Sequence, residues 1–564
     1  MAASIRTVPT VAFADQKPGT SGLRKRVKVF QQPHYTENFI AAILAVVPAP
    51  TTATTTKHTL VVGGDGRFFL AEAVQKIVAL AAASGKFAKL VVGQYGILST
   101  PAASNLIRKR GAIGGILLTA SHNPGGPEND FGIKYNVSNG GPAPEGVTNL
   151  IFEHTKTLTQ YAIADVALVD LSKIGTTTVA PGFDVEVIDS VADYVVLLKS
   201  IFDFDGIRAF LRARPEFKVL FDAMHGVTGP YAKAIFLTEL GLPATSVMNA
   251  IPLSDFGGGH PDPNLTYAHE LVERVAAEHT DFAAASDGDG DRNMIIGKHS
   301  TFVNPSDSVA VIAYWAQRAI PYFKSGLNGV ARSMPTSQAL DRVATKLGLT
   351  CYEVPTGWKF FGNLMDASRL SICGEESFGT GSDHIREKDG LWAVVAWLAI
   401  LAAASRDESW KGKEISLQAI LNDFWATFGR NYFSRYDYEE VDSAGATAMI
   451  DALRTAWSSP SAIGTKVGPY TIAKAGDFSY TDPVDGSVST KQGVYAEFTD
   501  GSRVVFRLSG TGSQGATVRV YFEAYEPSNV GQDPQVALRA LIDAALAVAG
   551  LEKATGRKTP TVIT

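Results

Sequence analysis

The chain has 564 residues, of which 45% are hydrophobic and 19% charged, and this balance excludes an intrinsically disordered protein. The length exceeds what one hydrophobic core supports and predicts about three to five domains. The net charge of −5, without a basic block, argues against nucleic acid or an anionic membrane as the main partner.

The expected location is the cytoplasm. The chain has only two cysteines, Cys351 and Cys373, so a disulfide scaffold is not indicated and buried thiols are the simplest interpretation. Residues 1–15 lack the pattern of a signal peptide. The longest apolar run, residues 391–404, falls short of the about 20 residues that a membrane helix needs.

One unit recurs along the chain: an apolar strand, a glycine-rich or polar loop, and a helical pattern. Strands alternating with helices predict an α/β fold with parallel or mixed sheets, in which functional loops follow the carboxyl ends of strands. The predicted strands are residues 60–62, 89–92, 113–118, 218–221, 282–285, 329–332 and 352–354.

The recurring unit predicts three topologically similar α/β domains, followed by an α+β domain. In the last region, residues 468–471, 479–480, 494–498, 503–508 and 518–525 are typical of strands, residues 534–549 of a final helix and residues 417–429 of a connecting helix. The predicted domains are residues 1–196, 197–306, 307–425 and 426–564.

The first loop with chemical potential is residues 117–124 (LLTASHNP), which follows a buried strand. It places the hydroxyl of Ser121 beside the imidazole of His122. A serine hydroxyl is a weak nucleophile that needs a base, a metal or prior modification. An ordinary turn serine is the alternative, because Ser, Asn and Pro are common turn formers.

The second loop, DGDGD, carries Asp287, Asp289 and Asp291 on alternate positions. Clustered carboxylates are hard ligands suited to Mg²⁺ or Ca²⁺, and without a cation they repel one another. An EF-hand fails because Arg292 stands where that loop needs glycine and Lys298 where it needs glutamate. A solvated acidic turn is the alternative.

The third loop is RLSGTGS at residues 507–513, with Arg519 beyond it. Successive backbone N–H groups, hydroxyls and arginines are typical of an anion-binding site. Gly510, Gly512 and Gly515 match the dinucleotide-binding spacing, but a strand follows them where that motif needs a helix. A flexible hairpin turn is the alternative.

Two further loops are weaker signals. Residues 374–379 (GEESFG) place Glu375 and Ser377 between glycines, a pattern suited to binding sugar hydroxyls, although a charged surface loop is equally compatible. Residues 17–24 form a small-residue turn that ends in Arg24.

Together, a serine, a divalent metal, a phosphate site and a polyol site indicate phosphoryl transfer on a phosphorylated sugar. Because no nucleotide loop is found, we expect the enzyme itself to be the phosphoryl donor.

At these motifs the chain resembles the α-D-phosphohexomutases, and within that superfamily the eukaryotic phosphoglucomutases. TASHNPGG at residues 119–126 resembles the phosphoserine loop, residues 287–292 the metal loop, residues 374–379 the sugar loop and residues 507–513 the phosphate loop. The motifs stand in family order and span residues 17–519. The resemblance implies four domains around a central cleft, with one Mg²⁺ per chain and glucose 1,6-bisphosphate as intermediate and activator.

The resemblance also implies a role for each site residue. Ser121 would carry the phosphoryl group and complete the Mg²⁺ site of Asp287, Asp289 and Asp291, so that glucose 1-phosphate and glucose 6-phosphate interconvert. The implied substrate contacts are Arg24, Arg292, Thr356, Gly357, Glu375, Ser377 and Lys388, with Arg507, Ser509, Gly510, Thr511 and Arg519 at the distal phosphate. The partners would be small sugar phosphates, with no nucleic acid or membrane, and the chain would be a monomer or a weak homo-oligomer.

The identity of the general base stays open at this point. Lys388 is the candidate that the resemblance implies, while His122 and Lys134 are close in sequence to Ser121. A lysine can serve if neighbouring cations lower its pKa. Phosphate binding or loop stabilisation is an equal alternative for His122 and Lys134.

Two other functions are the alternatives to this interpretation. The same fold could act on mannose or N-acetylglucosamine phosphates. A catalytically silent scaffold would be expected to show damage in the nucleophile or metal loop, and the sequence shows none there.

Overall fold

The computed structural model describes residues 4–19, 21–49, 57–509 and 515–564. These residues divide into two compact units, which are described separately. Unit 1 comprises residues 1–263, 283–293 and 381–395; unit 2 comprises residues 264–282, 294–380 and 396–564. The four predicted domain boundaries stay predictions.

Unit 1 is built on a seven-stranded mixed sheet. Its strands, in spatial order, are Leu23–Arg26, Asp130–Val137, Gly114–Leu118, His58–Gly64, Phe87–Ile97, Phe183–Ile188 and Gly175–Ala180. His58–Gly64 runs parallel to both of its neighbours, whereas Asp130–Val137 is antiparallel to Gly114–Leu118. The loops after His58–Gly64 and Gly114–Leu118 therefore leave the same edge of the sheet.

Helices cover this sheet because their apolar faces need burial. Leu70–Ser84, for example, buries Ala73, Val74, Ile77 and Val78 in the main core of unit 1. The helices of unit 1 are Val27–Phe30, Tyr35–Val46, Leu70–Ser84, Thr100–Lys109, Glu145–Thr157, Ala192–Ile201, Phe204–Arg212 and Thr228–Ala232, the last continuing as a π-helix over Lys233–Glu239. Strands Ser4–Pro9 and Gln160–Asp165 pair separately.

A second set of strands in unit 1 positions the aspartate-rich loop. Val219–Asp222 is parallel to Val247–Met248, and Phe282–Ser286 lies beside Val219–Asp222 on its other side. All five residues of Phe282–Ser286 are buried. This is a central strand that delivers residues 287–292 at its carboxyl end.

Unit 2 begins with a smaller α/β layer. Val330–Ser333 runs parallel to Cys351–Val354 on one side and to Ile372–Gly374 on the other. Asn293–Gly297 and Thr301–Val303 form an antiparallel pair. The helices here are His269–Glu278, Pro305–Ala319, Ala339–Leu347, Trp358–Asp366 and Leu417–Phe428. Four elements have residues in both units: strands Phe282–Ser286, Asn293–Gly297 and Thr380–Ser382 and helix Gly390–Ala404.

The C-terminal part of unit 2 is a seven-stranded sheet. In spatial order its strands are Lys466–Val467, Tyr470–Asp477, Val494–Phe498, Arg503–Ser509, Ala516–Glu526, Arg430–Val441 and Val562–Ile563, and the pairs are antiparallel. Strands Tyr480–Thr481 and Val488–Ser489 form a separate pair. One face packs in a hydrophobic core with helices Ser443–Trp457, Arg539–Ala549 and Leu551–Thr555. The opposite face, called the polar face below, carries charged side chains such as Arg507, Arg519 and Asp437 beside a small hydrophobic cluster that includes Phe433, Val505 and Tyr521.

The predicted fold class is confirmed: mixed α/β sheets come first and an antiparallel α+β sheet comes last. The predicted helix over residues 534–549 is wrong in one detail, because it is two helices, Pro534–Ala537 and Arg539–Ala549, that meet at Leu538. Both cysteines are free, and Cys373 is fully buried while Cys351 is only partly buried. Among the described residues, no helix is long and apolar enough to cross a membrane.

Candidate active site

Ser121 is held by the backbone in an uncommon conformation. It follows strand Gly114–Leu118 and has a φ of 55°, which places it in the left-handed region that few non-glycine residues adopt. Its side chain is 3% exposed. Such conformations persist only where the surroundings enforce them, and they concentrate at functional sites.

The enforcing contacts come from the neighbouring loop of the same sheet edge. The Ser121 N–H donates to Thr119 Oγ1 at 2.7 Å, and Thr119 Oγ1 donates to Asp65 Oδ2 at 2.6 Å. Arg67 is fully buried, pairs with Asp65 at 2.9 Å and donates to the Ser121 carbonyl at 3.0 Å. The buried Arg67 charge is thus paired with Asp65, and its other N–H groups donate to the carbonyls of Ser121, Asn123 and Asp130.

The hydroxyl of Ser121 faces the aspartate loop. Ser121 Oγ donates to Asp287 Oδ2 at 2.9 Å, and His122 Nδ1 lies 3.4 Å from the same Oγ. Gly288 makes this approach possible, since a Cβ there would lie 2.6 Å from the Ser121 carbonyl oxygen. The sequence placed these residues about 170 positions apart, and the fold brings them together.

The three aspartates of this loop form a group that could hold a metal ion. Ligand oxygens of Asp287, Asp289 and Asp291 lie within 4.8 Å of one another, and all three residues are buried. Asp287 Oδ1 accepts from the N–H groups of Asp291 and Arg292 at 2.9 and 3.0 Å. Thr100 Oγ1 donates to Asp289 Oδ2 at 2.7 Å.

The chemistry of this group fits a hard divalent cation. Asp289 Oδ1 and Asp291 Oδ1 are buried with no hydrogen-bond donor, and a buried carboxylate oxygen without a partner is costly. Burial, followed by repulsion from Asp289 and Asp291, raises the pKa of Asp287 well above its usual range. A cation that coordinates these oxygens would remove both penalties.

Cationic side chains border the aspartates. Lys388 Nζ lies 3.0 Å from Asp291 Oδ2. Arg292 Nη1 donates to Asp262 Oδ1 at 3.0 Å, and Arg292 Nε lies 3.9 Å from Asp287 Oδ2.

Arg24 and Lys134 complete the predicted residues of unit 1. Arg24 lies on strand Leu23–Arg26, and burial lowers the pKa of its guanidinium, against the opposing effect of Asp289. Lys134 pairs with the buried Glu387, which also accepts from Asn136 Nδ2 at 2.8 Å. Burial raises the pKa of Glu387, and Lys134 opposes that shift.

In unit 2 the sugar-loop residues lie close to a neighbouring turn. The N–H of Gly357 donates to Glu375 Oε1 at 3.0 Å, and Thr356 Oγ1 is buried without a hydrogen-bond partner. Glu375 and Ser377 are 4% and 7% exposed. Carboxylate, hydroxyl and backbone groups at one place can bind a polyol.

The phosphate-loop residues lie on the polar face of the C-terminal sheet. Arg507 and Arg519 are direct cross-strand partners, and Arg519 is in turn opposite Asp437. Like charges directly opposite each other are destabilising, so this placement favours a bound anion. Asp437 Oδ2 lies 3.4 Å from Arg519 Nε, and Ser509 is opposite Thr517. Gly510 and Thr511 lie outside the described residues.

The sequence interpretation missed several residues that contact the site. Asp65 and Arg67 follow the predicted strand over residues 60–62 in a glycine-rich loop. Two charged residues directly after a buried strand could have indicated a functional loop there. Thr100 and Asp262 carried no motif, because their roles depend on contacts with residues far along the chain. Glu387 and Asp437 are likewise visible only through their ion pairs.

Four family models match consecutive parts of the chain. Family models of the phosphoglucomutase/phosphomannomutase α/β/α domains I, II and III match residues 15–162, 192–300 and 304–428. A model of the phosphoglucomutase-1 C-terminal domain matches residues 430–561.

Individual relatives are similar over nearly the whole of this chain. Phosphoglucomutase-1 of Oryctolagus cuniculus is 57% identical, covering 99% of this chain and 100% of that protein. The chloroplastic phosphoglucomutase of Solanum tuberosum is also 57% identical, covering 99% of this chain and 88% of that protein. The crystal structure of the Paramecium phosphoprotein parafusin, a phosphoglucomutase in its open form, is 48% identical with a TM-score of 0.88, and the match covers 100% of both chains.

Proposed function

Because the chain belongs to the phosphoglucomutase/phosphomannomutase family, we propose that it interconverts glucose 1-phosphate and glucose 6-phosphate through a phosphoserine at Ser121. The observation that carries the proposal is the 2.9 Å contact between Ser121 Oγ and Asp287 Oδ2, inside a buried group of three aspartates. A hydroxyl at this place can carry a phosphoryl group next to a cation. The 57% identity to a phosphoglucomutase over 99% of this chain supports glucose phosphates as the substrates.

Asp287, Asp289 and Asp291 would hold one Mg²⁺, with an oxygen of the group on Ser121 as a further ligand. When bound, the cation would neutralise charge on the transferring phosphoryl group. Arg292 and Arg24 would add positive charge for the phosphoryl oxygens. Arg67 would keep the Ser121 backbone fixed during the transfer.

The reaction balances as two opposite transfers. A sugar hydroxyl attacks the phosphorus on Ser121, the bond from phosphorus to Ser121 Oγ breaks, and the hydroxyl proton passes to a base. The product is glucose 1,6-bisphosphate. After the sugar reorients, Ser121 Oγ attacks the other phosphate, the bond from phosphorus to the sugar oxygen breaks, and the base returns its proton to that oxygen. This step releases the isomerised sugar phosphate and regenerates the phosphoserine.

Lys388 is the proposed base, with His122 and Lys134 as alternatives. Lys388 borders the aspartates, His122 borders Ser121 Oγ, and Lys134 is engaged with Glu387. The Lys134 pair favours a positioning role for that side chain. Single replacements Lys388→Met, His122→Gln and Lys134→Met would rank the three, since loss of the base should lower kcat by about 10²–10⁴-fold.

In unit 2, Glu375 and Ser377 would bind sugar hydroxyls beside Thr356 and Gly357. Arg507 and Arg519 would bind the phosphate that is not reacting, together with Ser509, Gly510 and Thr511. Two orientations of the sugar need such a pair of sites, because each phosphate in turn becomes the reacting one.

Two measurements test the proposal. Turnover of glucose 1-phosphate, mannose 1-phosphate and N-acetylglucosamine 1-phosphate would be compared by detecting the corresponding 6-phosphates. We expect the highest kcat/KM with glucose 1-phosphate, and a clear preference for another sugar would overturn the substrate assignment.

Mass spectrometry of the Ser121 peptide tests the carrier. We expect phosphate on Ser121 after incubation with glucose 1,6-bisphosphate, and none on the same peptide of Ser121→Ala. An active protein that never carries phosphate on Ser121 would contradict the mechanism. The cytoplasmic location and a monomeric or weakly associated state remain predictions, which cell fractionation and light scattering would test.

A further inference from the structure

Three consecutive residues of unit 1 point to three different partners. Glu387 contacts Lys134, Lys388 contacts Asp291, and Asp389 contacts the hydroxyl of Tyr194. The first two partners belong to the site described above. The partners of Asp389 do not belong to that site, and Asp389 has no role in the proposed reaction.

Asp389 is fully buried and its carboxylate is fully engaged. Tyr194 donates to Asp389 Oδ1 at 2.5 Å, and His384 Nε2 lies 2.9 Å from Asp389 Oδ2. The N–H of Trp392 donates to Oδ1 at 3.0 Å, so Asp389 also caps helix Gly390–Ala404.

His384 links this carboxylate to a further buried group. Ser382 Oγ lies 2.6 Å from His384 Nδ1. Because a carboxylate only accepts, the proton of the contact with Asp389 lies on His384 Nε2. The ring also stacks on Trp392, with centroids 5.6 Å apart and an interplanar angle of 15°. The imidazole is therefore fixed from three sides.

The next residue ties this network to the aspartate loop. The Gly390 N–H donates to the Gly290 carbonyl at 3.1 Å, and a Cβ on Gly390 would lie 2.2 Å from the Arg292 carbonyl oxygen. The segment 388–390 is thus pressed against the loop of the three aspartates. Its position is set by the Asp389 contacts on its other side.

We propose that Asp389, held by Tyr194, His384 and the Trp392 N–H, is a positioning residue that fixes Lys388 against Asp291. This proposal rests on the proposed function, in which Lys388 acts at the transferring group. Side chains that must act within a fraction of an ångström depend on rigid support of this kind, and a misplacement of 1 Å can cost about 100-fold in rate. A purely structural N-cap would explain the Trp392 contact but not the tyrosine and histidine contacts.

The test uses Tyr194→Phe and Asp389→Asn, because both keep the shape of the side chain and asparagine is also a good N-cap. The matched control is Tyr35→Phe, which removes a different, part-buried tyrosine–aspartate hydrogen bond in unit 1, from the buried Tyr35 to Asp15 Oδ2 at 3.1 Å. We expect kcat to fall about 10-fold in Tyr194→Phe and more in Asp389→Asn, with KM within about twofold. Tyr35→Phe should keep the wild-type kcat.

A double-mutant cycle with Lys388→Ala separates positioning from general destabilisation. If Tyr194 acts through Lys388, Tyr194→Phe should not lower kcat further in the Lys388→Ala background. Equal effects of Tyr194→Phe with and without Lys388 would overturn the proposal, as would a wild-type kcat in both variants.

Hydrogen exchange gives a readout that does not depend on turnover. Exchange in the peptide covering residues 384–390 should become faster in Tyr194→Phe and unchanged in Tyr35→Phe. If the wild-type chain proved inactive on all three sugar phosphates, the proposed function would fail and this exchange experiment would still decide whether Tyr194 and Asp389 fix the segment. Unchanged exchange in Tyr194→Phe would refute the proposal that Tyr194 and Asp389 fix this segment.

Discussion

Units 1 and 2 each contain a cluster of like charges with incomplete hydrogen bonding: the three aspartates in unit 1, and the arginines on the polar face of the C-terminal sheet in unit 2. In unit 1, Asp289 and Asp291 each bury a carboxylate oxygen that no donor satisfies. In unit 2, Arg507 and Arg519 stand directly opposite each other on adjacent strands, and a buried Nη1 of Arg435 has no acceptor. The first cluster contains carboxylate oxygens without a donor, and the second contains a guanidinium N–H group without an acceptor.

Ion pairs within each cluster compensate only part of its charge. Lys388 compensates Asp291 at 3.0 Å, and Asp437 lies 2.9 Å from Arg435 and 3.4 Å from Arg519. Buried charges without a full set of partners are expensive and mark ligand sites more often than stabilising elements. The comparison therefore predicts a cation for the first cluster and an anion for the second, as a phosphoryl-transfer site on sugar phosphates requires.

The largest expected effect is that of Ser121→Ala. Removal of the phosphoryl carrier should lower turnover by at least about 10⁴-fold, because no other described hydroxyl contacts Asp287 through its side chain. The free energy of unfolding should change little, since alanine leaves the backbone contacts of Arg67 and Thr119 in place. Turnover and thermal unfolding would be measured beside Ser84→Ala, a partly buried serine on the helix Leu70–Ser84. Substantial turnover in Ser121→Ala would remove the serine from the mechanism.

The second prediction separates the cation cluster from an ordinary acidic turn. In chelator, Asp287→Asn should be as stable as the wild type or more stable, because burial and the charges of Asp289 and Asp291 disfavour the ionised carboxylate of Asp287 and raise its pKa. In Mg²⁺ the order should reverse, since a cation at 100 times its Kd stabilises the wild type by about 2.7 kcal/mol. Melting curves of both proteins with and without Mg²⁺ would show the crossover. Parallel shifts in the two proteins would contradict the metal assignment.

The sequence predicted the fold and these two clusters because each is local. The strand over residues 113–118, the alternating carboxylates at residues 287–291 and the arginine-rich segment near residue 507 are all continuous in the chain. The class of fold follows from the repeated strand–loop–helix pattern in the same way.

The parts that sequence reasoning missed are those that depend on contacts across the fold. The left-handed backbone of Ser121 is enforced by Arg67, 54 residues earlier. The strand Asp130–Val137, which carries Lys134, was not predicted because most of its residues are buried and polar residues interrupt its apolar pattern. Asp389 looked like one charge among several at residues 386–389, and only its contacts with Tyr194 and His384 distinguish it. Tertiary context decides such roles, so spacing alone does not reveal them.

The third prediction tests the anion cluster with a smaller effect. Arg519→Gln should raise the KM for glucose 1-phosphate about 10-fold or more, because one bidentate phosphate contact is lost. Inorganic phosphate should stabilise the wild type against heat and stabilise Arg519→Gln less. The control is Arg539→Gln, which removes an exposed arginine paired with Asp543 at 3.8 Å. Equal stabilisation of Arg519→Gln and the wild type by phosphate would refute the assignment.

The smallest expected effect concerns Asp307, a buried carboxyl of unit 2 on which burial acts more strongly than the opposing charge of Arg430. It lies in the first turn of helix Pro305–Ala319 and accepts from Trp425 Nε1 at 3.1 Å. Burial raises its pKa to about 6, compared with about 3.9 for an exposed aspartate. Below about pH 6, a proton therefore neutralises the buried charge.

The sign of the pH dependence follows from that shift. Between pH 4 and 6 the folded state binds more protons at Asp307 than the unfolded state, so this group's stabilising contribution is lost as the pH rises through 6. Asparagine does not titrate, and its amide oxygen can still accept from Trp425. The free energy of unfolding of Asp307→Asn minus that of the wild type should therefore increase by about 1–3 kcal/mol from pH 4 to pH 7. Urea unfolding at several pH values would measure it, with Asp543→Asn as the exposed control. A difference that stays constant with pH would show that Asp307 is ionised throughout, and that buried carboxylates in this chain need no neutralising partner.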